Sequence, residues 1–218
     1  MVLNGMSIHR ECFALPNSSD NSRCVAACVA GIINAHTKKR AYKTPQELDK
    51  KLFRTTESDG KTIQPIAAYV LATYGLKVIV RIPMPISWEK IYKQGIQAMG
   101  NKTVEFLKRS FDIKKYNKAV RMAYNEGVIM ENKGGTDINK IIEQNKNSYI
   151  MAGVNPFLLY NRKSKKKGGH YVIVLKCLKN KVTIIDPLLP FIKEEEFSTL
   201  NFNLAWKNNV YNAGEIII

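Results

Sequence analysis

The sequence predicts an α+β fold, with N-terminal helices packed on a C-terminal antiparallel sheet and a helical insertion between them. Three observations carry this reading. Apolar residues recur with helical spacing early in the chain, strand-like runs of Val, Ile and Tyr gather late in it, and the two textures do not alternate as they would in a parallel α/β sheet.

Taken in order, residues 1–20 are polar and irregular. From Arg23 to His36, Val25, Cys28, Val29, Ile32 and Ile33 fall at i, i+3, i+4, i+7 and i+8, the stripe of an amphipathic helix, with Asn21 or Ser22 as its N-cap. Thr44-Pro45-Gln46-Glu47 opens a second helix through a capping box, with Pro at the first helical position. A third is expected over Gly60–Tyr74, closed by Gly75. Leu76–Ile82 reads as a strand, stopped by Pro83 and Pro85. Residues 87–135 are Lys-rich, weakly helical and broken by glycines, and are read as the insertion within one 1–218 domain. A helix is expected from Thr136 to Gln144. Strands then follow at Tyr149–Val154, Tyr171–Leu178, Val182–Ile185 and Glu215–Ile218.

Composition narrows the function classes. A 45% hydrophobic and 24% charged chain is ordinary for a globular protein, and no apolar run approaches the roughly 20 residues of a membrane span. Met1–Glu11 lacks the apolar stretch of a signal peptide, so a cytoplasmic location is expected; an effector translocated without a cleavable signal would look the same. Four cysteines make neither a disulfide scaffold nor a common zinc pattern, and no metal or other cofactor is expected. The formal charge of +16 would attract nucleic acid, anionic membranes or acidic proteins. Lys outnumbers Arg 26 to 8, however, the bias of an AT-rich genome, and no basic stripe interleaved with aromatics supports nucleic-acid binding.

Elimination picks out the chemistry-bearing residues. Of three histidines, His9 lies in the irregular N-terminus and His36 suits a helix C-terminus without further role. His170 follows Gly168-Gly169 and begins a strand, where a loop delivers a side chain to a sheet edge. Cys24 sits in the first turn of the Arg23–His36 helix, where unpaired N–H groups favour thiolate, whereas Cys28 lies deeper on the apolar stripe. A helix-start cysteine with a downstream loop-to-strand histidine is the layout of a Cys/His nucleophile pair. Asp186, before Pro187, is the candidate that orients the imidazole. A three-residue loop Leu178-Lys179-Asn180 would put His170 and Asp186 on one face of the hairpin; a two-residue loop would put them on opposite faces.

Arg23-Cys24-Val25-Ala26-Ala27-Cys28, Gly168-Gly169-His170-Tyr171-Val172-Ile173-Val174 and Thr183-Ile184-Ile185-Asp186-Pro187 together resemble the papain-like cysteine peptidases that remove double-glycine leaders from bacteriocins. Asp59-Gly60-Lys61-Thr62 with Ala68 and Tyr74-Gly75-Leu76 is similar to that family's middle segment. The resemblance spans about residues 10–82 and 136–190. It implies a papain-like fold, a Cys24-His170-Asp186 triad and a peptide-bond substrate. Two departures stand out: Arg23 and Val25 replace the residues that flank the family's nucleophile. The family's oxyanion glutamine falls on Ser18, so Asn17, one residue earlier, becomes the oxyanion candidate; an Asx turn is the other use of Asn17.

The expected activity is therefore cysteine-nucleophile hydrolysis of a peptide or amide bond. Acyl transfer or deamidation by the same triad, or an inactive peptide-binding module of the same fold, are the alternatives. Gly168, Gly169, Lys166 and Lys167 are expected to border the cleft, and the basic run from Arg162 would steer an acidic peptide or protein toward it.

Overall fold

The computed structural model describes residues 23–52, 64–108, 112–134, 137–145, 148–162, 169–178, 180–187, 194–208 and 214–218. The apolar stripe folds as expected into helix α1 (Cys24–Thr37), whose residues from Val25 to Ile33 are buried. Its cap differs from expectation. Arg23, not Asn21 or Ser22, holds the N-cap position, and its side chain makes no hydrogen bond to the first turn. The Arg23 guanidinium reaches Asp49 instead, with Nε 2.9 Å and 3.1 Å from the two carboxylate oxygens. The Thr44–Glu47 capping box is present, but it opens only a short 3-10 turn, Pro45–Leu48. That segment buries Pro45 and Leu48, with Leu52 just beyond it, too little apolar contact to hold a longer helix.

Helix α2 (Gln64–Ala72) ends in a turn closed by Gly75, at φ +80°, and strand β1 (Ile79–Arg81) follows. Between residues 87 and 135 the chain forms α3 (Trp88–Gln94), a 3-10 turn at Ile96–Met99, α4 (Asn101–Lys108) and α5 (Ile113–Asn125). The helical texture expected there then gives way to a strand, β2 (Ile129–Glu131). Tyr116, Ala119, Val120 and Ala123 of α5 share one core with α1 and α2. Next come α6 (Ile138–Gln144), β3 (Ile150–Val154), the single turn α7 (Pro156–Leu159), β4 (His170–Leu178) and β5 (Lys181–Ile185). Strand β6 (Glu194–Ser198), helix α8 (Thr199–Lys207) and β7 (Glu215–Ile217) complete the order.

The fold is α+β, built on a seven-stranded sheet in the order β2-β1-β7-β3-β4-β5-β6. The sheet is mixed and not wholly antiparallel, because β2 joins β1 in parallel while the other pairs are antiparallel. Both faces are covered. Met151, Tyr171, Ile173 and Ile216 point to the core formed with α1, α2 and α5. Ile150, Ala152, Val172, Val174 and Ile184 point the other way, to Phe202, Ala205 and Trp206 of α8 and to Ile138 and Ile141 of α6. Burial on both faces is why β3 is apolar at every position and shows no polar alternation.

Candidate functional site

His170 is the first residue of β4 and pairs with Val154 of β3. Its side chain therefore stands at the end of the sheet, where groups from both faces can reach it. Asp186 follows the last residue of β5 and is fully buried. The imidazole Nε2 and Asp186 Oδ1 are 2.6 Å apart.

The route to that contact differs from the expected one. The β4–β5 ladder closes at Leu178↔Lys181, which leaves a two-residue loop in place of the expected three-residue loop. A regular ladder from that loop would put His170 and Asp186 on opposite faces. Between Val174↔Ile184 and Lys176↔Thr183 the register shifts, and Leu175 is the extra residue of a β-bulge. The bulge absorbs one position of β4, so Asp186 falls across from Val172 and diagonal to His170, on one face. Parity is restored inside the strand instead of at the turn.

Cys24 begins α1 and approaches the imidazole from the other face of the sheet. It is partly buried, packed against the α1–α2 core. With Nε2 committed to Asp186, Nδ1 is the ring nitrogen left for the sulfur. Burial acts against the thiolate of Cys24. It is outweighed by the hydrogen bond and charge of His170 and by the N–H groups of Tyr171 and Val25, and the thiol lies below its ordinary range. Burial likewise acts against the imidazolium of His170. The hydrogen bond to Asp186, then the bond to and charge of Cys24, outweigh it and raise the ring to about 9. Both shifts favour a thiolate on Cys24 facing an imidazolium on His170. The Arg23 side chain does not cap the first turn of α1, where backbone N–H groups favour a thiolate.

One turn along the same helix, Cys28 goes the opposite way. It is 1% exposed, and burial, then the charges of Cys24 and Asp186, push its thiol well up. Its S–H is 3.5 Å from the Tyr171 carbonyl oxygen, to which it donates. Cys177 is partly buried and directs its sulfur to Asn139 Oδ1 at 2.6 Å, apart from His170. His36 lies in the last turn of α1, some 18 Å along the axis from Cys24.

Of the expected cleft residues, Gly169 is exposed and directly precedes His170. Asn17, Ser18, Lys166, Lys167 and Gly168 lie outside the described residues, as do Cys12, His9 and the Asp59–Thr62 segment. Sequence reasoning missed Tyr160. Its hydroxyl donates to Asp186 Oδ2 at 2.5 Å, so both carboxylate oxygens are engaged. Tyr160 follows α7, whose Asn155-Pro156 start, with the Asn155 side chain accepting from the Phe157 N–H, is the one signal that could have placed it. No protein-family model and no curated protein matches this chain.

Proposed function

We propose that this chain is a thiol hydrolase of papain-like fold, similar to the peptidases that process bacteriocin leaders, and that it cleaves a peptide or amide bond. The observation that carries the reading is the chain of contacts from Cys24 to His170 to Asp186, with the thiol held low and the imidazole held high. A buried imidazole and carboxylate aimed at a helix-start sulfur serve a nucleophile; binding alone requires none of the three.

In this mechanism Cys24 Sγ attacks the carbonyl carbon, and the oxyanion is met by N–H groups at the start of α1, with Asn17 as the amide that the family resemblance suggests. His170 passes its Nδ1 proton to the departing amine, leaving a thioester on Cys24. The neutral ring then takes a proton from water, whose oxygen attacks the thioester, and the acid leaves as Cys24 regains its thiolate. Asp186 keeps Nε2–H oriented throughout.

The test is cleavage of a mixed peptide library, with new termini and any acyl-enzyme read by mass spectrometry. Wild type should cleave through a thioester on Cys24. Cys24→Ser should lose at least about a thousandfold in rate. Undiminished cleavage by Cys24→Ser, or no acylation of wild-type Cys24 by any peptide, overturns the reading.

A further inference from the structure

Asp186 is fully buried, and its two oxygens face two different partners, His170 Nε2 at 2.6 Å and the Tyr160 hydroxyl at 2.5 Å. A carboxylate held only at Oδ1 can turn about its terminal torsion; one held at both oxygens cannot. Tyr160 is itself fixed. Its ring meets Phe197 of β6 edge-on, with centroids 5.4 Å apart, and the Arg162 guanidinium lies over it at 5.5 Å. From this geometry we infer that Tyr160 is a positioning residue, whose hydroxyl locks Asp186 in the orientation that holds the His170 imidazolium against the Cys24 thiolate. The inference rests on the reading of Cys24 and His170 as a reacting pair and adds Tyr160 as a fourth residue to Cys24, His170 and Asp186.

The surrounding charges make the hydroxyl a donor. Burial, then the hydrogen bonds and charges of Asp186 and Glu195, push the Tyr160 phenol up, so it keeps its proton. Among the described residues, the titratable and charged groups facing the cluster include Cys24 and Cys28 from α1, Asp186 after β5, Tyr160 and Arg162 after α7 and Glu195 from β6. Tyr160 is placed to give Oδ2 a proton while leaving Oδ1 to the imidazole.

Two effects of removing the hydroxyl have opposite signs. In a fixed geometry, Asp186 without its donor is more basic and would raise His170 further. A carboxylate released to turn would lose Nε2 and let His170 fall toward its ordinary 6.5. Positioning predicts the fall.

The experiment titrates the His170 ring by NMR and follows iodoacetamide alkylation of Cys24 by peptide mass spectrometry, across pH, in wild type, Tyr160→Phe and Phe197→Leu. Tyr160→Phe keeps the ring and its packing. It should lower the His170 titration by about one unit or more and slow Cys24 alkylation at pH 6 on the order of tenfold. Phe197→Leu removes the ring contact but leaves the hydroxyl, and should lower Tm without moving either titration. An unchanged or raised His170 titration in folded Tyr160→Phe overturns the inference. So does a Phe197→Leu protein that shifts as far as Tyr160→Phe. Should Tyr160→Phe fail to fold, ortho-fluorinated tyrosine at position 160 makes the phenol a stronger donor without changing its shape. His170 must then titrate differently from wild type if the hydrogen bond links them, and identically if Tyr160 acts only by packing. Failure of the underlying reading would show elsewhere, as a wild-type Cys24 that alkylates like an ordinary thiol and is indifferent to His170→Ala; in that case Tyr160 has no pair to position and the inference falls with it.

Discussion

Cys24 and Cys28 are the same residue type one helical turn apart, yet their thiols move in opposite directions. The difference is the imidazole: His170 faces Cys24, whereas Cys28 sees burial and two negative groups. The same pairing sets how stability depends on pH. His170 has a folded-state value near 9, above its ordinary 6.5, so its stabilisation is full below 6.5 and is lost as pH rises through about 9. Cys24, held below its ordinary 9.0, contributes above that value and loses its contribution as pH falls through its folded-state value. The two groups therefore give stability slopes of opposite sign: as pH rises His170 loses stabilisation and Cys24 gains it. Cys24→Ser removes one of them and keeps the Asp186 bond that raises His170. Its stability in urea should therefore fall more steeply than that of wild type from pH 6.5 toward 9, and Cys24→Ser with Asp186→Asn should flatten that slope. A wild-type slope equal to that of Cys24→Ser would show that the thiolate is absent.

At the level of elements, the β4–β5 hairpin decides whether the site exists. With a two-residue loop, the Leu175 bulge is what brings His170 and Asp186 to one face. Deleting Leu175 leaves Val174↔Ile184 and Lys176↔Thr183 as neighbouring pairs of a regular ladder, with His170 still diagonal to Asp186. The deletion should thus lower Tm through lost packing of a partly buried leucine but preserve the low-pH reactivity of Cys24. A folded deletion protein with an ordinary thiol at Cys24 would contradict the register argument. This hairpin also shows what sequence could reveal. The strands, the helix-start cysteine and the loop-to-strand histidine were legible because periodicity and turn chemistry are local. The bulge was not, since no residue in Val174-Leu175-Lys176 marks it and two-residue and three-residue loops fit the sequence equally well. Arg23 as N-cap was likewise hidden, because its partner Asp49 is distant in sequence.

Across the whole molecule, the sheet lies between two helical cores, and the candidate triad is assembled at its end from both of them. The second core was the less legible half: α7 and α8 are short, and Glu194-Glu195-Glu196 disguises β6 as a loop. Among the described residues, no helix is long and apolar enough to cross a membrane. Away from the site, Arg81 ties three strands together, with Nε 2.5 Å from Glu131 of β2 and Nη1 3.9 Å from the buried Glu215 of β7. Arg81→Ala should destabilise on the order of 3 kcal/mol in urea denaturation, because it removes the guanidinium that faces the fully buried Glu215 carboxylate, whereas Glu131 keeps Lys133 at 3.0 Å. At temperatures where the variant is folded, its Cys24 chemistry should match wild type; coupled loss of both would mean that the site depends on that distant edge. The central claim is that Cys24 is a thiolate made by His170. It is tested most directly by the far-ultraviolet thiolate absorbance of wild type minus Cys24→Ser, titrated over pH. The account predicts a thiolate that forms below the ordinary thiol value of 9.0 and moves up in His170→Ala. A difference titration at the ordinary value, unmoved by His170→Ala, would contradict it.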